Sequence, residues 1–216
     1  MSDLFKTPAC SAAHRERVTD PSVDPPAVPL DRYRIIADGF SARVSGVPGD
    51  DPRWSSPAPC AGWAARDVVR HLVEAHGIFY GLIEHDPGLE MPSVDDDPAA
   101  AWAAARAGME AALGDPDVAE REFDGTFGRT TWGASIDRFL TGDVLIHTWD
   151  VARALGLDDT LDAAEVRRML AESSELDPAV EARMRQPDVY GPAVELPDGA
   201  SDQDRLLAFT GRDPRV

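Results

Sequence analysis

An aspartate and a histidine four residues apart sit inside an apolar stretch, TGDVLIHTWD, at residues 141–150. Val144, Leu145, Ile146 and Trp149 call for a core, whereas Asp143, His147 and Asp150 do not unless something there compensates them. Residues i and i+4 stack on one face of a helix, so Asp143 and His147 point the same way. An uncompensated buried carboxylate costs several kcal/mol. A histidine hydrogen bond offsets part of that cost. A divalent metal offsets more, and Asp plus His at helical spacing is a recognised ligand geometry. The pair alone leaves two readings open: a polar couple that satisfies itself, or part of a metal site.

A second stretch, VVRHLVEAH, sets His71 beside the core positions Val68, Leu72 and Ala75. Two helices of a bundle can present ligands across one cavity. His71 with Asp143 and His147 makes a set of two histidines and one carboxylate. Three protein ligands with an open position describe a catalytic metal site rather than a structural one. His76, five residues from His71, falls on a different face. Asp67 sits in a first helical turn, where a carboxylate favours the helix dipole without any metal. Glu74 would make the site closed and structural if it filled the fourth position.

These residues need helices to hold them. Leu30, Tyr33, Ile36, Phe40 and Val44 share a helical face within LDRYRIIADGFSARVSGV. PGDDPRWSSPAPCAGW then breaks the pattern with its prolines and glycines. The next helix, ARDVVRHLVEAHGIFYGLIEH, carries Val68, Leu72, Ala75, Phe79 and Leu82 at helical spacing. After an acidic connector, AAAWAAARAGMEAALG predicts a third helix by propensity. Residues 115–133 read as a loop or short hairpin. A long helix follows over residues 134–156, with Ile136, Leu140, Val144, His147 and Val151 on its stripe and Gly156 as its stop. LDAAEVRRMLAESSEL predicts another helix, and the tail an extended crossing with a final helix near Ser201–Phe209. Residues 1–29, rich in proline and polar groups, read as a flexible extension to a domain spanning 30–216. Helix dominates, so the class is all-α, a helical bundle.

The formal charge of −18 argues against a nucleic-acid binder or a partner of anionic membranes. Two cysteines, Cys10 and Cys60, build no disulfide framework. The N-terminus lacks the order of a signal peptide, so a cytoplasmic protein acting on a small molecule is expected. Oligomeric state is not legible.

Two segments resemble a known family. WSSPAPCAGWAARDVVRHLVEAHGIF is similar to the P-x-P-C-x-G-W-x-x-R-D-x-x-x-H-L segment of mycothiol-dependent maleylpyruvate isomerase-like proteins. These belong to the DinB-like superfamily of metal-binding four-helix bundles. GDVLIHTWDVARALG resembles that family's second signature, and YGPAVELPDGASDQDRLLAFTGRDP the closing segment of one branch. The likeness runs over residues 30–214. It implies a DinB-like four-helix bundle with a short hairpin before the ligand-bearing helix and a C-terminal extended segment plus helix. It implies His71, Asp143 and His147 as ligands of a divalent metal, zinc above all, with Asp150 orienting His147. Many members have Glu at the Asp143 position, and many have Ser or Thr at Ala64, where with Asp67 it would form a capping box.

The implied chemistry is activation of a low-molecular-weight thiol such as mycothiol, for S-transfer or thiol-assisted isomerisation. The alternatives are a non-catalytic metal-binding bundle and a hydrolase using zinc-bound water, with Asp150 or Glu74 as its base. Cys60 has two readings, a thiol close to the metal or a small packing residue, of which packing is preferred; Trp63 and Trp149 read as core anchors, and Arg153 or Arg66 as partners for Asp150.

Overall fold

The computed structural model describes residues 29–186 and 189–215. The expected extension at 1–29 falls outside them, except that Pro29 already begins a helix. Four long helices form the body: α1 (Pro29–Val44), α2 (Ala65–Gly81), α3 (Pro98–Gly114) and, after a hairpin, α6 (Thr141–Leu155). α1 packs on α3 and α6, and α2 packs on the same two, so the four close a ring with α1 and α2 on opposite corners. The protein is thus a mainly helical bundle, as the sequence implied. Between α3 and α6 lie the one-turn α4 (Pro116–Ala119), strands β1 (Glu122–Gly125) and β2 (Gly128–Thr131), and the one-turn α5 (Trp132–Ser135). β1 and β2 pair antiparallel, with Glu122 opposite Thr131 and Gly125 opposite Gly128. α7 (Ala163–Ser174), α8 (Pro178–Met184) and α9 (Asp202–Phe209) complete the chain, with α7 and α9 packed together.

The core takes most of the positions that the spacing selected, with Leu30 only partly buried at the start of α1. Tyr33, Ile36, Phe40 and Val44 of α1 are buried against Val68, Leu72 and Ala75 of α2 and against Ile136, Leu140, Val144 and Val151. Trp54, Trp102, Trp132 and Trp149 are the largest buried side chains. At α2 the stripe departs from expectation near its end. Tyr80 and Ile83 turn inward, while Phe79 and Leu82 stay partly exposed.

Side-chain caps set the helix starts. Asp97 accepts from the Ala100 N–H at 3.0 Å with Pro98 in the first turn of α3, and Asp162, Asp177 and Ser201 cap α7, α8 and α9. Ala64 has no side-chain acceptor for the start of α2, but the reciprocal half of the box survives: its N–H donates to Asp67 Oδ2 at 2.9 Å. That gives Asp67 its role. α6 ends as predicted at Gly156, whose φ of +67° lets the Gly156 and Leu157 N–H groups fold back onto the Arg153 and Ala152 carbonyls.

Two features were not expected. The long helix is not uniform: Ile136–Leu140 is a π-helical turn joining α5 to α6. One wide turn rotates every side chain after it relative to an unbroken α-helix. The tail also contains α8, in a segment too short and polar for hydrophobic periodicity to announce.

Candidate metal centre

α2 and α6 bring the three candidate ligands together. His71 Nε2 lies 2.9 Å from Asp143 Oδ2, and His147 Nε2 lies 3.4 Å from Asp143 Oδ1. The carboxylate therefore stands between two imidazole nitrogens, one from each helix. The ligand atoms of all three residues fall within 4.8 Å of one another. His147 is buried, while His71 and Asp143 keep 36% and 32% of their side-chain surface exposed, so the cluster opens on one side. Asp143 lies in the wall of a cleft of about 710 Å³.

Behind the cluster sits a second polar layer. His147 Nδ1 is 2.8 Å from Asp150 Oδ2, and the carboxylate stands off the line of the ring N–H. Asp150 is fully buried and is shared: Cys60 Sγ donates to it at 3.2 Å and Arg212 Nη2 at 3.0 Å. Arg212 also reaches Cys60 Sγ at 3.5 Å. Neither Arg153 nor Arg66 is the partner of Asp150. Arg153 pairs with Asp159 and lies over Trp149, while Arg66 donates to the backbone carbonyls of Gly49, Val94 and Asp95.

Local backbone explains these placements. In Cys60-Ala61-Gly62-Trp63 the Trp63 N–H donates to the Cys60 carbonyl at 3.0 Å, and Gly62 takes φ +81°, a value that glycine reaches without penalty. That turn presents Cys60 to Asp150 and Trp63 to the histidines. The Trp63 ring is 5.7 Å from that of His147 in a stacked arrangement and 5.1 Å from that of His71. α9 ends with Gly211 at φ +80°, its N–H on the Ala208 carbonyl and the Arg212 N–H on Leu207. The reversal sends Arg212 back to Asp150.

Electrostatics follows burial and pairing. Burial alone would raise the Asp143 carboxyl, but the charge and hydrogen bonds of His147 and then His71 outweigh it and hold it well below the usual carboxylate range. Burial would lower His147, yet Asp143 and Asp150 raise it well above the ordinary value. Asp150, opposed by burial, is brought down to about 2 by His147 and Arg212. Tyr190 in the cleft is pushed up to about 12 by burial and by the charge of Asp143.

Of the other residues singled out, Glu74 is exposed and outside the cluster. His76 is buried, its Nδ1 bonded to the Leu72 carbonyl at 2.6 Å and its Nε2 to the Tyr33 hydroxyl at 2.7 Å. Trp149 is a core residue; Trp63 is partly buried, packs against the core and also lies against the two imidazoles. Cys60, read as a packing residue, is a hydrogen-bonded neighbour of Asp150 and forms with His147 and Asp150 a second cluster of potential metal donors. Arg212 and Tyr190 had no signal at short spacing, because both come from the tail.

The family described as the mycothiol maleylpyruvate isomerase N-terminal domain matches residues 33–152, more than half of the chain. The chain belongs to that family. The match contains His71, Asp143, His147, Asp150, Cys60 and Trp63 and stops before Arg212. Uncharacterized proteins of two strains of Mycobacterium tuberculosis are each 29% identical over 188 residues, which cover 87% of this chain and 99% of the relative. No solved structure gives a significant match. Family membership associates the protein with mycothiol, and among the described residues no helix is long and apolar enough to cross a membrane.

Proposed function

We propose that the protein holds a divalent metal ion, zinc by its donor set, on His71, Asp143 and His147, and uses it to activate a low-molecular-weight thiol, mycothiol in this family, toward a small electrophilic substrate. The observation that carries the reading is the convergence of two imidazole nitrogens on one carboxylate at the edge of a cleft. Two nitrogen donors and one oxygen donor fit zinc and leave a coordination position open. When bound, zinc supplies a Lewis acid that brings a thiol's pKa toward neutrality.

The chain's own groups do the rest. Asp150, held by Arg212 and Cys60, fixes the orientation of His147. Trp63 covers the imidazoles on one side and restricts water there. The cleft beside Asp143 receives the electrophile. A thiolate placed there adds to an activated carbon–carbon double bond, whose π pair takes up the thiol's proton when the adduct persists, or displaces the halide of an alkyl halide with that proton released to solvent; both are S-transfer. Rotation about the weakened carbon–carbon bond, followed by loss of the same thiolate, gives isomerisation with the thiol returned.

Two observations weigh against the alternatives. Glu74 points to solvent, so among the described residues no further carboxylate closes the site as a structural centre would require. Asp150 is engaged by three partners, which removes the base that hydrolysis by metal-bound water needs. The test is conjugation of mycothiol to monobromobimane and isomerisation of maleylpyruvate by zinc-loaded protein, wild type beside Asp143→Asn. Thiol-dependent turnover of either compound, reduced at least a hundredfold in the variant, is the expected result. Turnover equal in both proteins would remove the reading.

A further inference from the structure

The cleft beside Asp143 has a composition of its own. Phe79, Phe127, Phe139, Met169, Tyr190 and Phe209 give it an apolar, mostly aromatic wall. Two arginines line it, Arg138 and Arg168. Arg168 is neutralised by Glu165 and Glu172. Arg138 is not: among the described residues it has no carboxylate and no hydrogen-bond acceptor, only the faces of Phe127 and Phe139, whose ring centres lie 5.5 and 5.3 Å from its guanidinium carbon. Arg66, Arg121 and Arg167 also have no carboxylate partner among the described residues, but of the four only Arg138, itself exposed, lines the cleft.

Its position is built rather than incidental. Arg138 and Phe139 lie in the π-helical turn Ile136–Leu140. Phe127 comes from the hairpin tip between β1 and β2 and stacks on Phe139 at 5.5 Å and 25°. Stacking on two rings restrains the guanidinium while its N–H edge stays free, which suits an incoming carboxylate. Arg138 and Asp143 are five residues apart on one helical run, roughly 7 Å along its axis.

We propose that this cleft binds an organic monoanion with an aromatic or long apolar body, its acid group on Arg138, its body along the phenyl wall and its far end at Asp143. That the far end is the reacting one rests on the metal-and-thiol reading above; the binding itself does not. A volume of about 710 Å³ exceeds what a small diacid fills, and Glu172, Glu175 and Asp177 in the same lining oppose a second negative charge.

The experiment is calorimetric titration of zinc-treated protein with three probes: trans-cinnamate, its neutral isostere cinnamamide, and maleate. Wild type binds cinnamate at least tenfold more tightly than cinnamamide or maleate. Arg138→Met loses that preference and binds cinnamamide as before, while Arg138→Lys recovers part of it. Phe127→Ala weakens both aromatic probes. Equal binding of cinnamate and cinnamamide by wild type, cinnamate binding unchanged in Arg138→Met, or no cinnamate binding at all, overturns the assignment. Metal content is measured on the same samples. A protein that holds zinc but ignores probe charge overturns the cleft assignment alone. Charge-dependent binding in a protein that takes up no zinc supports the cleft and removes the metal reading.

Discussion

At the scale of single residues, the chain contains five histidines, and three of them owe their behaviour to what surrounds them. His147 lies between two carboxylates, and His71 faces one of them. His76, on the same helix as His71, instead donates and accepts within the core and carries no charge. Its buried position pushes its pKa down to about 4, against about 6.5 in an unfolded chain. Above pH 6.5 it is neutral in both states and its full contribution to stability is present. As pH falls the unfolded chain binds the proton first, and that contribution drains away until about pH 4. The shift sets a limit of about 3 kcal/mol, of which about 2 is lost by pH 5. Urea unfolding with chelator present, at pH 7 and pH 5, therefore shows wild type losing about 2 kcal/mol relative to His76→Gln. Parallel losses in the two proteins would contradict this.

At the scale of elements, the candidate ligands on α2 and α6 were legible because helical spacing alone puts Asp143 and His147 on one face and His71 on the inner side of its helix. Their support was not. Arg212 lies 62 residues beyond Asp150, and nothing in local spacing links the two. The π-helical turn is likewise a tertiary outcome, since hydrophobic period cannot separate one wide turn from a continuous α-helix. Trp63 was only half legible for a related reason: an indole in a turn is compatible with a core or with a site wall, and here it packs against both. The end of α9 offers the direct test of whether the tail supports the centre. At Gly211 a Cβ would lie 2.1 Å from the Tyr190 carbonyl oxygen on a left-handed backbone. Gly211→Ala therefore costs about 2 kcal/mol or more, from left-handed strain and the displacement that follows. Because Arg212 moves with it, zinc affinity falls roughly tenfold or more, and Arg212→Met shows the same loss of affinity with little loss of stability. Thermal unfolding and competition with a zinc chelator read the two effects. Unchanged affinity in both variants would sever the tail from the centre.

At the scale of the whole molecule, a four-helix ring supplies a rigid frame and the tail supplies one buried cation at its edge. The net charge of −18 spreads over the surface and favours the approach of divalent cations, while Arg138 and Arg212 make local exceptions near the centre. The bundle class was readable from helix periodicity and turn composition, and the candidate metal site from three residues of two types at two places in the chain. The cleft was not, because its wall is assembled from α2, the hairpin, the π-helical turn, α7, α8 and α9. Whether a divalent metal occupies the space between His71, Asp143 and His147 is decided by elemental analysis of untagged protein purified without chelator, wild type beside His147→Ala and the near-isosteric Asp143→Asn. About one equivalent of zinc in wild type, lost in both variants while their helical circular dichroism is retained, is the predicted result. Wild type that holds no metal, even after zinc is added back and excess removed, would contradict it and leave Asp143 and the two histidines as a self-satisfied polar cluster.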